Sequence, residues 1–121
     1  MDNLLRERCA TALKALMKEP AAVDFFNDPV DPIALGIPEY FDVITKPMDL
    51  GTIKSKLTRK KEYTSKDDLN ADVKLVWANC KKFNPKGEPM GLYEYANAMD
   101  ARWKALLKEH VTDPEKSEKG G

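Results

Sequence analysis

Residues 20–47 read PAAVDFFNDPVDPIALGIPEYFDVITKP, and this stretch decides the fold. Five of the chain's eight prolines fall in it, Pro20, Pro29, Pro32, Pro38 and Pro47, so no long helix can cross it. It is also rich in large apolar residues, among them Phe26, Val30, Leu35, Ile37, Tyr40 and Phe41, which disordered segments lack. A loop of this length inside a compact domain is uncommon and, when ordered, usually functional. The reading is an ordered, packed loop with one short helical turn.

Helices flank it on both sides. Upstream, Leu5, Cys9, Ala12, Leu13, Leu16 and Met17 repeat at helical spacing, and Glu19-Pro20 ends the run. Downstream, a short helix runs from Met48 to about Leu57, with Asp49 as its N-cap. Thr64 or Ser65 followed by Asp67 and Asp68 has the form of a capping box. Leu69, Val73, Val76, Trp77, Cys80 and Phe83 then mark one helix face, which stops at Asn84-Pro85. Pro85, Gly87, Pro89 and Gly91 make a turn, after which Leu92, Ala96, Met99, Trp103, Leu106 and Leu107 mark a last long helix. No segment alternates with a period of two. The expected fold is all-α, three long helices and one short one in a bundle, with a long ordered loop after the first. The domain is expected over residues 1–111, and the polar residues 112–121 as a flexible tail.

Composition narrows the function. The 121 residues carry zero formal net charge, against nucleic acid held by bulk electrostatics. The charge is unevenly spread. Residues 19–50 hold seven acids and the single base Lys46, whereas residues 51–66 hold six bases, Lys54, Lys56, Arg59, Lys60, Lys61 and Lys66, and the single acid Glu62. The acidic block suits a basic partner; the basic block reads as a solvated rim. Apolar runs are far too short for a membrane span, and Met1-Asp2 does not open a secretory signal. Cys9 and Cys80 both fall on apolar stripes and read as reduced, buried small hydrophobes, which points to an intracellular protein. His110 is the one histidine, which leaves no triad and no zinc cluster. The glycines form no phosphate-cradling loop. No catalytic residues, metal or cofactor are expected.

A pocket is the better reading. Ligand pockets are mostly apolar with a few fixed polar groups, and the 20–47 loop supplies such a wall. Tyr40 and Asn84 are the candidate polar groups. Each has a plain rival: Tyr40 as a core tyrosine, Asn84 as a helix C-cap. Pro85 favours an extended conformation at Asn84 and weakens the left-handed cap.

At this point the sequence resembles the bromodomain, the acetyl-lysine-binding module, over residues 4 to about 110. The matching blocks are Phe26-Asn27-Asp28-Pro29-Val30-Asp31, Ile37-Pro38-Glu39-Tyr40-Phe41, Lys46-Pro47-Met48-Asp49-Leu50-Gly51-Thr52-Ile53 and Asn79-Cys80-Lys81-Lys82-Phe83-Asn84. The resemblance implies a left-handed up-down four-helix bundle and a non-enzymatic reader of acetylated lysine. It implies histone tails or other chromatin proteins as partners, a nuclear location, and a monomeric domain. Asn84 resembles the asparagine whose amide donates to the acetyl carbonyl, and Tyr40 the tyrosine that reaches it through water. Phe26, Val30, Leu35, Ile37, Cys80 and Phe83 resemble the pocket wall. Two departures stand out. Members with a Trp-Pro-Phe shelf have an aromatic where this chain has Asp24, which implies a more open or more polar wall. The loop after Asn84 is two residues longer than in many members, so the residue at the mouth is Met90 counted forward from Asn84, or Leu92 counted back from Trp103. The helix register is the stiffer ruler and favours Leu92.

Overall fold

A computed structural model describes residues 1–59 and 61–120. Lys60 of the basic stretch and Gly121 of the expected tail therefore lie outside the described residues. Among those described, all regular structure is helical: α1 (Asn3–Met17), a π-type turn (Ala22–Phe26), α2 (Tyr40–Val43), α3 (Leu50–Thr58), α4 (Lys66–Phe83), α5 (Leu92–Leu107), a second π-type turn (Lys108–Thr112) and α6 (Asp113–Gly120). Helices α1, α3, α4 and α5 form the bundle. Each packs on two others, α1 on α3 and α5, α4 on α3 and α5, which closes a ring of four. None is long and apolar enough to cross a membrane.

The helices begin where side chains satisfy their first N–H groups. The Asp49 carboxylate accepts the Thr52 N–H (2.8 Å) and opens α3. The Ser65 hydroxyl accepts the Asp68 N–H (3.3 Å) and opens α4. Asp68 reaches back to the Thr64 N–H (3.0 Å) and hydroxyl (2.9 Å), a reciprocal box displaced by one residue. Those bonds hold the Asp68 carboxyl below its ordinary range. Gly91, at φ 68°, precedes α5 in the left-handed region that glycine adopts without strain.

The apolar stripes meet as their spacing requires. Cys9, Ala12, Leu13 and Leu16 of α1, Ile53 and Leu57 of α3, Leu69, Val73 and Trp77 of α4, and Met99, Trp103 and Leu106 of α5 form one core. Each large member contributes about 1.5–3 kcal/mol by leaving water. Trp103 donates its ring N–H to Asn70 (3.0 Å), so α5 is keyed to α4.

The two ends of the bundle differ. At one, the Met1 ammonium donates to the Thr64 carbonyl (2.6 Å) and Arg6 to that of Leu57 (3.0 Å), tying the start of α1 to the α3–α4 connection. The long loop covers the other. Asn27 donates its amide to Met17 at the end of α1 (2.9 Å), and its carbonyl accepts the Gly51 N–H of α3 (2.9 Å). A Cβ at Gly51 would sit 2.6 Å from that carbonyl, so this close approach requires glycine. Asn79 of α4 donates to the Lys46 carbonyl (2.8 Å) and pins the loop's far limb.

The loop holds two short helical segments where the sequence reading had one. Pro20 starts the first, because a proline's missing N–H costs nothing in an opening turn. Past His110 the chain stays helical as far as Gly120, with Val111 buried and Arg8 paired to Glu118.

Candidate functional site

The open end encloses a cavity of about 500 Å³, lined by the long loop, the last two turns of α4 and the start of α5. Helix α4 makes its floor by continuing one stripe. Leu69, Val73 and Trp77 fill the core, and the next members, Cys80 and Phe83, are half-buried and line the cavity. The other walls come from the loop. Phe26 sets its ring edge-on to Trp77 at 5.1 Å and joins core to cavity. Val30, Leu35 and Ile37 continue this wall.

Asn84 is held tightly. Its backbone N–H and its side-chain amide both donate to the Cys80 carbonyl, at 2.9 and 3.0 Å. Its backbone is extended, at φ −113° and ψ 102°, as the following proline requires. Asn84 is thus the C-cap of α4 and a cavity residue at once, and the two readings do not compete. The cap uses one amide hydrogen; the same nitrogen lies 3.9 Å from the Cys80 Sγ, a long contact, which leaves the second hydrogen and Oδ1 open to a stronger partner.

Tyr40 opens α2 and is only 6% exposed, its ring 4.9 Å from that of Phe83. Among the described residues its hydroxyl has no hydrogen-bond partner, and the residue lines the cavity. Burial pushes its pKa above the ordinary tyrosine value, with the nearby Cys80 adding to the shift. The Cys80 thiol is also raised by burial, to about 11, against the opposing effect of Asn84. It is therefore a neutral donor, and it faces the Leu92 carbonyl at 3.3 Å.

The nine residues expected to form the site, Asn84, Tyr40, Phe26, Val30, Leu35, Ile37, Cys80, Phe83 and Leu92, all line this one cavity. So do both candidates for the mouth. Leu92 is half-buried at the first turn of α5, and Met90 is 64% exposed. Sequence reasoning missed Val23, Phe25, Met48, Val76 and Asn79, which also line it. Phe25, its ring 5.6 Å from Tyr95, adjoins the quoted Phe26 and was open to inclusion. Asn79 opens the quoted block that ends at Asn84, but a polar residue in a helix reads as exposed until a loop carbonyl is found above it. Cys9 is fully buried among core side chains, with its thiol pushed up by burial to about 11. His110 lies apart from the cavity, and no metal-holding group of three acidic, histidine or cysteine side chains occurs among the described residues. In the basic stretch Lys56 is engaged by Asp72 (2.7 Å) and Arg59 stands 3.9 Å from Glu62.

Three comparisons bear on this arrangement. The family model named Bromodomain matches residues 9–97. The chain is 42% identical over 112 residues to the SWR1 complex bromodomain subunit bdf1 of Schizosaccharomyces pombe, covering 88% of this chain and 19% of that protein. It is 39% identical over 113 residues to transcription factor GTE11 of Arabidopsis thaliana, covering 89% and 18%. The chain thus spans about a fifth of the length of these curated relatives. Among solved structures, the second bromodomain of Candida albicans Bdf1, bound to an imidazopyridine, superposes with a TM-score of 0.78 at 37% identity, over 88% of this chain and 99% of that one. Its unbound form gives 0.76.

Proposed function

The chain belongs to the bromodomain family, and on that premise we propose that it is a non-enzymatic reader of acetylated lysine in histone tails or other chromatin proteins. The observation that carries this reading is the Asn84 amide, locked by the Cys80 carbonyl at the wall of an apolar cavity with one N–H to spare. In the proposal that N–H donates to the acetyl carbonyl. The Tyr40 hydroxyl acts on the same carbonyl through water, while Phe26, Val30, Leu35, Ile37, Cys80 and Phe83 enclose the lysine stem. Leu92, fixed by the stiff start of α5, stands at the mouth, with Met90 beside it. Residues 1–111 form the reading module, and the segment after it, helical from Asp113 to Gly120, takes no part in reading. The module acts as a monomer, in the nucleus, without a cofactor.

Selectivity for the acetylated form comes chiefly from charge. An ammonium entering this cavity loses its hydration, and the one buried carboxylate in the lining, Asp49, is already committed to the Thr52 N–H and hydroxyl, so the penalty is heavy. Acetylation replaces it with a neutral amide whose carbonyl keeps a hydrogen bond. Such a bond adds only about 1 kcal/mol net, but leaving the carbonyl unpaired costs roughly 1–3 kcal/mol. Asn84 therefore orients the ligand, and exclusion of charge discriminates. The stem's methylenes contribute about 0.8 kcal/mol each, less the cost of ordering the peptide, so a single mark binds weakly.

Calorimetric titration with one histone-tail peptide, acetylated at a single lysine or unmodified, tests this. The acetylated form is expected to bind and the unmodified form to show no saturable heat. Equal binding of the two forms overturns the reading.

A further inference from the structure

We infer that the mouth of the cavity selects acetylated peptides that keep a charged lysine or arginine within about three residues of the acetylated one. This rests on the proposed acetyl-lysine reading and names its substrate class more narrowly. Four carboxylates line the cavity, Asp24, Asp28, Asp31 and Asp49, and no lysine, arginine or histidine does. Two are used by the fold. Asp49 is buried and caps α3, and Asp31 accepts the N–H groups of Ile33 (3.1 Å) and Ala34 (3.2 Å). Asp24 and Asp28 are exposed, and neither enters a salt bridge or a side-chain hydrogen bond among the described residues. The nearby acid Glu19 is by contrast paired with Arg102 at 2.8 Å. Asp24 belongs to the π-type turn that carries Phe26, so its backbone is part of a cavity wall.

A second, independent feature marks the same cavity as a ligand site: Tyr40, which lines it, is over nine-tenths buried, and its hydroxyl has no partner among the described residues. The two features divide one ligand between them. The interior admits a neutral amide and repels an ammonium; the lip offers two uncompensated negative charges and attracts one. An extended peptide advances about 3.3 Å per residue, so a basic side chain within three positions of the acetyl-lysine reaches the lip. A tail acetylated at every lysine presents no such charge unless an arginine remains.

Anisotropy measurements on the whole chain decide it. Two acetyl-lysine peptides are compared, one with arginine two positions to either side and one with serine there. The arginine peptide is expected to bind about three- to tenfold more tightly at low salt, as for two exposed ion pairs. The ratio should narrow as salt shortens the reach of the charges. Asp24→Asn combined with Asp28→Asn should bring it close to one, with thermal melting confirming that the variant is folded. Equal binding of the two peptides by the unmodified chain, or an unchanged ratio in the variant, overturns the inference and leaves the acetyl-lysine reading standing. If neither acetylated peptide binds better than its unacetylated counterpart, the reading fails and the inference with it.

Discussion

Each end of the bundle buries a tyrosine, and the two tyrosines are treated in opposite ways. At the closed end the Tyr63 hydroxyl donates to Asp72 (2.6 Å), which also pairs with Lys56 (2.7 Å), whose ammonium lies 5.0 Å from the centre of the Tyr63 ring. There the Tyr63 hydroxyl, the Asp72 carboxylate and the Lys56 ammonium answer one another. At the open end the hydroxyl of Tyr40 and half of the Asn84 amide are left over beside a cavity. Burial without an internal partner is costly, so a buried tyrosine hydroxyl left unpaired beside a cavity suits an external partner, whereas one bonded to a carboxylate suits the fold. Stability should therefore reside at the closed end and recognition at the open end.

The hardest blow to that division is Asp72→Ala. It strands the Lys56 ammonium and the Tyr63 hydroxyl together, and chemical denaturation should show a loss of about 2–4 kcal/mol. Peptide affinity should be unchanged wherever the variant remains folded; a parallel loss of affinity would erase the distinction between the ends. Gly51→Ala comes next, because its Cβ meets the Asn27 carbonyl at 2.6 Å. A forced backbone shift there should cost about 1–3 kcal/mol. Unlike the Asp72 change, it should also weaken acetyl-peptide binding, since the loop it displaces carries Phe26.

The paired removal of hydroxyls is finer. Tyr63→Phe should cost about 1.5–3 kcal/mol of stability, the range for a bond to a charged acceptor, and no affinity. Tyr40→Phe should do the reverse, weakening acetyl-peptide binding about three- to tenfold, as expected for one water-mediated bond, with little change in melting. The smallest effect is on pH dependence. Burial first, and the Asp72 bond second, raise the Tyr63 pKa above its unfolded value. The folded state then holds its proton where the unfolded chain has lost it. This contribution is fully present below about pH 10 and declines as pH rises further. Tyr63→Phe should flatten that alkaline decline in denaturation midpoints; an unaltered slope would remove Tyr63 from the account.

What the sequence made legible follows a physical line. The stripes of α1, α4 and α5 and the caps at Asp49 and Ser65 are local, set by spacing within one element, and they appear where expected. The Lys56–Asp72–Tyr63 network was not legible, because it joins two helices and their connection through polar residues that read as surface. The π-type turn at Ala22–Phe26 hid behind five prolines. The stripe of α4 looked uniform through Phe83, and only the fold shows it passing from core to cavity wall near Cys80. The polar residues after Thr112 have no apolar period, so nothing announced a helix continuing to Gly120 alongside Arg8.

Asn84→Ala tests the central claim most directly, with acetylated and unmodified peptides titrated into the parent chain and the variant, and the melting of each recorded. The backbone bond from Asn84 to Cys80 survives the change, so melting should move by no more than about 1 kcal/mol in stability. Binding of the acetylated peptide should fall at least about tenfold, while the unmodified peptide remains unbound. A folded variant that binds the acetylated peptide as tightly as the parent would contradict the account.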